Sequence, residues 1–170
     1  MDDEITVLRT VTAVTACGAP TSQRVGIYAL CDAGMLSAET TSANVSDIDG
    51  PLQQPTAILA SGTASGLVSD RLVPLEAFHR RALAPTIAAA IARGPKAPTC
   101  KPTKNLPGSF AASASANGVV GRLLADCGLA HTDTTPASLH RWRITTTCIS
   151  LEPTSVAVQA IVDNFMNYAA

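Results

Sequence analysis

The sequence predicts a mainly α fold, a single-domain helical bundle carrying one small β-hairpin. Three observations support that class. Apolar residues recur at three- and four-residue spacing in several separate stretches, the period of a helix face turned toward a core. Those stretches end at glycine or open on a Thr-Pro or Glu-Pro pair. Only the region between Thr56 and Pro74 reads as two short apolar runs around a glycine-containing turn, the pattern of a hairpin.

The first helix opens on Asp2 and Asp3, acids that suit the positive end of a helix dipole, and carries Ile5, Val7, Leu8, Val11 and Val14. Its many β-branched residues weaken the helical preference without reversing it. Gly18-Ala19-Pro20 ends it, and Thr21 or Ser22 caps a second helix with Val25, Ile27, Tyr28 and Leu30 that stops at Gly34. A short helix is expected from Ser37 to Asn44, followed by turn chemistry from Asp47 to Pro51. Thr56–Ala60 and Leu67–Val73 are the hairpin strands, with Gly62–Gly66 as their loop and Pro74 closing the second.

Leu75–Arg93 is the clearest helix, with Leu75, Phe78, Leu83, Ile87 and Ile91 as its stripe and Pro85 expected to kink or split it. Residues 94–108 hold four prolines and three lysines and are expected to form a mobile loop. Ala111–Cys127 is a further helix with Val119, Val120, Leu123 and Leu124 inward and Gly128 as its stop. Thr135 and Pro136 open a helix through Leu139, Trp142 and Ile144, and Pro153 opens a last one. Residues 1–170 are thus expected to form one domain.

Bulk composition bounds the function. Charged residues make up 15% of the chain and the formal net charge is −1, so attraction to a polyanion must come from local clusters. Three exist: His79-Arg80-Arg81, the Lys96/Lys101/Lys104 segment, and His140-Arg141 with Arg143. Solvated helix faces and a loop are the commoner explanation of such clusters. The five cysteines form no C-x-x-C pair, which argues against a disulfide framework or a zinc site. Cys17, Cys31, Cys127 and Cys148 read as small buried hydrophobes. The acidic start and the lack of a long apolar run point to a cytoplasmic chain with no membrane partner.

Several local signatures occur in a fixed order. Asp3-Glu4-Ile5 with Leu8 opens the first helix. Asp32-Ala33-Gly34-Met35-Leu36-Ser37-Ala38-Glu39 leads into Val45-Ser46-Asp47-Ile48-Asp49. Asp70-Arg71-Leu72-Val73-Pro74-Leu75 closes the hairpin, Leu123 to Leu129 ends a helix at Ala-Asp-Cys-Gly-Leu, and Thr135-Pro136-Ala137-Ser138-Leu139-His140-Arg141 opens another. Taken together the set resembles the catalytic domain of tyrosine recombinases, the phage-type integrases. The resemblance implies phosphoryl transfer onto a tyrosine. Two arginines clamp the scissile phosphate, a hairpin lysine and a histidine handle protons, and a tyrosine hydroxyl attacks.

Position by position, the resemblance places the first arginine at Leu36, the helix histidine at Ala137 and the second arginine at His140. The Gly62–Gly66 turn holds no lysine, and the later Gly-His pair falls on Asp163-Asn164, so Asn164 stands at a histidine position. Tyr168 and His140 remain as the residual catalytic candidates. Losing one positioned cation at a developing phosphate charge costs about 10²–10³ in rate, so losing the whole set implies loss of catalysis.

Other constellations are poor fits. Ser37, Glu39 and His79 have no nucleophile-elbow spacing, and His79, His131, His140 and Asp133 have no helical partner spacing for a metal. Trp142 between Arg141 and Arg143 reads first as a core anchor, with stacking on a base or sugar as the alternative. The expected function is therefore a catalytically inactive integrase-like protein with neither cofactor nor metal. Its expected partner is double-stranded DNA, met by Arg80, Arg81, Lys101, Lys104, Arg141 and Arg143. Two alternatives stay open: a protein-interaction domain on the same fold, binding a second copy or another protein and no DNA, and an active site-specific recombinase with a rearranged site using Tyr168.

Overall fold

A computed structural model describes residues 2–15, 22–61, 70–100, 109–130 and 136–150. Among them the order is α1 (Asp2–Thr15), α2 (Ser22–Asp32), α3 (Ser37–Ser42), a 3-10 turn (Val45–Asp47), β1 (Ile48–Asp49), β2 (Ala57–Ala60), β3 (Arg71–Pro74), α4 (Ala77–Ile91), α5 (Phe110–Asp126) and α6 (Pro136–Ser150). The described chain is thus mainly helical with a small antiparallel sheet.

Helix α2 is the axle. It packs against α1, α3, α4, α5 and α6, and every residue from Val25 through Met35 is buried. A surface helix leaves one face polar; α2 alternates small residues with Ile27, Tyr28 and Leu30 and is covered all round. Burying Ile27 or Leu30 contributes roughly 1.5–3 kcal/mol each. The tightest approach is at Gly26, where a Cβ would lie 2.7 Å from the Cys100 sulfur and 3.1 Å from the Thr86 methyl of α4. α5 supplies Ala112, Ala116, Val119, Val120, Leu123 and Leu124 to the same core, and Ser109 caps it by accepting the Ala112 N–H at 3.2 Å.

The sheet has three strands in the order β1-β2-β3, one more than the hairpin expected from sequence. Ile48 and Asp49 pair with Ile58 and Ala57, so part of the expected Asp47–Pro51 turn is strand. The reason is local. The Asp49 carbonyl accepts the Thr56 N–H at 3.0 Å and its carboxylate accepts the Thr56 hydroxyl at 2.9 Å, closing the turn over residues 50–55. Gly50 stands at φ +85°, where a side chain is strained and a Cβ would also crowd Thr56.

Three further expectations need correction. α4 continues through Pro85 as one helix, because Pro85 lies on its exposed face, where water can satisfy the carbonyl left without a donor. Ile91 is 43% exposed rather than part of the buried stripe. Residues 94–100 make backbone hydrogen bonds to the 43–46 segment: the carbonyls of Ala97 and Pro95 accept the N–H groups of Val45 and Ser46, and Thr99 donates to Ala43. Cys100 is consequently fully buried beside Cys31 in the core, whereas Cys127 is only half-buried. Cys17 and residues 101–108, 151–170 and 62–66 lie outside the described residues.

Gly26 tests the α2 contact. Glycine within a helix costs about 1 kcal/mol relative to alanine, while overpacking a filled core costs about 1–3 kcal/mol. Gly26→Ala should therefore lower stability by up to about 2 kcal/mol net. Adding Cys100→Ala should recover most of that loss, as read from denaturant unfolding of all four proteins in the cycle. Additive losses would mean that the two residues do not share the space.

Candidate functional site

The end of α2 and the start of α3 form a junction that four elements meet. Gly34 ends α2 at φ +107°, a conformation that favours glycine, and a Cβ there would lie 3.2 Å from the Arg143 side chain of α6. Its carbonyl accepts two long-range donors: the Arg71 Nη2 of β3 at 2.9 Å and the His140 Nδ1–H of α6 at 2.7 Å. Glu39, buried on α3, accepts the Leu36 N–H at 2.7 Å and pairs with both terminal nitrogens of Arg71.

The junction therefore brings together Leu36, Glu39, Arg71 and His140. Ala137 precedes His140 by one turn of α6, on the same side, and is exposed. Chemically the junction is closed upon itself. The Arg71 guanidinium is satisfied by a bidentate carboxylate and a carbonyl, Leu36 offers an apolar side chain, and the His140 Nδ1 proton is taken by Gly34. Burial holds the His140 pKa below its ordinary value, against the opposing hydrogen bond to Gly34, with the Arg71 charge lowering it further. A neutral imidazole and a neutralised guanidinium do not make a phosphate clamp. No cluster of potential metal ligands occurs among the described residues.

A second network lies one turn earlier on α2. Asp32 Oδ2 accepts Arg9 Nε of α1 at 2.9 Å and His79 Nε2–H of α4 at 2.9 Å. The His79 tautomer follows from its other nitrogen, since Nδ1 accepts the Glu76 backbone N–H at 3.0 Å. Arg9 also reaches Glu76 and lies over the Phe78 and Trp142 rings. Glu76 in turn pairs with Arg143. Partial burial of Glu76 opposes ionisation, but the Arg143 hydrogen bond and charge outweigh it and hold the carboxyl below its ordinary value.

Arg143, expected to face DNA, is thus turned inward, with its side chain only 12% exposed. Trp142 packs against the core with one side in a shallow 340 Å³ pocket that it shares with Ser138, Arg141 and Thr145. Arg80 and Arg81 line an open groove of about 680 Å³ between α4 and the 50–56 turn. Ser37 and His79 are not neighbours in function: Ser37 Oγ bonds Asn117, and His79 is committed to Asp32. Lys101, Lys104, His131, Asp133, Asn164 and Tyr168 lie outside the described residues.

Arg9, Asp32, Glu39 and Arg71 were not expected as interacting groups. One signal was available for Asp32: an acid in the last turn of a helix opposes the macrodipole and requires a partner from elsewhere. No family model matches the chain, and no curated protein or solved structure matches it.

His140 and Glu76 give the fold two acid-sensitive windows. Because the folded pKa of His140 is depressed, the unfolded chain binds more protons just below pH 6.5, and stability declines as pH falls from there toward the folded value. The Glu76 contribution is complete above 4.5 and declines as pH falls below that. The melting temperature should therefore drop first below pH 6.5 and again below 4.5. His140→Gln, which retains a donor for Gly34, should remove the first decline. Parallel curves for the two proteins across that first window would contradict the buried, neutral imidazole.

Proposed function

We propose that the chain is a duplex-DNA-binding protein built on a tyrosine-recombinase-like domain that does not cut or rejoin strands. The observation that carries this reading is the division of its arginines. Arg9, Arg71 and Arg143 are consumed by internal carboxylates, Arg71 at the junction where the resemblance implies a phosphate clamp. The guanidinium groups of Arg80, Arg81 and Arg141 pair with no carboxylate among the described residues and line open surface. The inward cations support a silent site, and the outward ones support phosphate contacts. Positions of Leu36, Ala137 and His140 around one junction support the recombinase-like descent.

The exposed large hydrophobics favour a second reading, a protein-interaction domain. Phe110 at the start of α5 is 90% exposed and Leu72 on β3 is 61% exposed.

Titration of a labelled random duplex decides between them. Each phosphate contact contributes about 0.9 to the slope of log K against log salt, so contacts from Arg80, Arg81 and Arg141 should give a slope near −3. Absence of binding at about 50 mM salt, with self-association seen by sedimentation, would favour the interaction domain. A nicked suicide duplex should trap no covalent adduct. An adduct that disappears in Tyr168→Phe would instead establish an active recombinase.

A further inference from the structure

The groove between α4 and the 50–56 turn has two unlike walls. Arg80 and Arg81 stand on the α4 side, with Ala77 and Ala84 as a floor of small residues between and beyond them. Arg80 Nη1 donates to the Leu75 carbonyl and Arg81 Nε to the Ala77 carbonyl, which anchors each stem and leaves further N–H groups of each fork without a carboxylate among the described residues. The opposite wall is Gln53, Gln54 and Thr56. Both glutamines are exposed, and they sit at the tip of a turn whose backbone is fixed at three points: Thr56 to Asp49, Gln54 to Pro51, and Leu75 to Thr56. The glutamines are thus presented from a rigid platform rather than a loose loop.

Charge orients whatever enters. The Asp49 carboxylate bonds the Thr56 hydroxyl at the turn wall, so that wall repels an anion while the α4 wall attracts it. An anionic backbone is driven to Arg80 and Arg81, and the neutral, hydrogen-bonding face of the same ligand is left to Gln53 and Gln54. Paired guanidiniums match phosphate oxygens, and a carboxamide offers one donor and one acceptor side by side, the complement of the adenine N7 and N6–H₂ edge.

The geometry points to this groove as a base-reading DNA site, in which Arg80 and Arg81 hold the backbone and Gln53 and Gln54 read adenine in the adjoining major groove. The inference rests on the DNA-binding reading above and adds to it a sequence preference and the residues that set it. Leu36, Glu39 and His140 take no part.

The test compares two duplexes of equal length, one with A·T steps and one with only G·C, against the full chain and two double variants. The wild type should favour the A·T duplex by about fivefold or more, the lower end expected for a bidentate base contact. Arg80→Ala/Arg81→Ala should weaken binding to both duplexes alike and reduce the salt slope by about 2. Gln53→Ala/Gln54→Ala should keep the slope and erase the preference. Gln53, Gln54 and Arg81 are exposed and Arg80 is half-buried, and circular dichroism and melting curves matching the wild type are required of both variants. If no protein binds either duplex, the DNA-binding reading itself falls. If the wild type binds but the arginine pair leaves affinity and slope unchanged, DNA binds elsewhere and the groove assignment is overturned. A preference that survives the glutamine variant, or a wild type without preference, overturns the base-reading role.

Discussion

Asp32 sets the terms on which the helices pack. It lies in the last turn of a helix that is covered on every side, where both desolvation and the helix dipole act against a carboxylate. The position is tenable only because α1 sends Arg9 and α4 sends His79 to the same oxygen. Arg9 then recruits Glu76, and Glu76 recruits Arg143 of α6. A buried ion pair of this kind adds little net stability over an apolar replacement, but breaking it from one side costs about 3–5 kcal/mol. Its effect is to tie α1 and α4 to one point of α2, with α6 joined to it through the Glu76–Arg143 pair.

Within two residues of Asp32 the chain makes its second commitment, at the Gly34 carbonyl. Arg71 and His140 converge there from β3 and α6, so the sheet and the last described helix are fixed against the same short segment as α1 and α4. The two junctions together absorb three arginines. With twelve lysines and arginines in the whole chain, that is a substantial share of its positive charge. Arg80 and Arg81 lie outside this internal pairing, so a nearly neutral chain still carries a locally cationic groove.

The parts of this arrangement that were legible in sequence are those governed by neighbours in the chain. Helices α2, α4 and α5 follow from spacing and glycine stops, and β2 with β3 from apolar runs closed by Pro74. The third strand was not legible, because Ile48 and Asp49 become strand only through Thr56, and a two-residue run carries no period. Cys100 was hidden for a similar reason: a proline- and lysine-rich segment reads as solvent-exposed until Asn44–Ser46 supplies backbone partners for it. At the junction, Leu36 and His140 could be singled out as departures from a pattern. The pairing of Glu39 with Arg71, thirty-two residues apart, needed the fold. Sequence also put Arg143 outward, since nothing local distinguishes a paired arginine from a free one.

The closed junction explains why the departures come as a set. Consider an arginine restored at position 36 under the recombinase-like reading. Its backbone N–H already holds one Glu39 oxygen, and Glu39 is the buried carboxylate that neutralises Arg71. A second guanidinium there would compete with Arg71 for that single carboxylate and be repelled by the Arg71 charge. Recharging His140 would add a third cation against desolvation that already favours its neutral form. Under that reading each such change is opposed by groups already paired at the junction. Leu36, the Glu39–Arg71 pair and the neutral His140 thus form one mutually consistent packing, in which a change at one position alters the charge balance of the others.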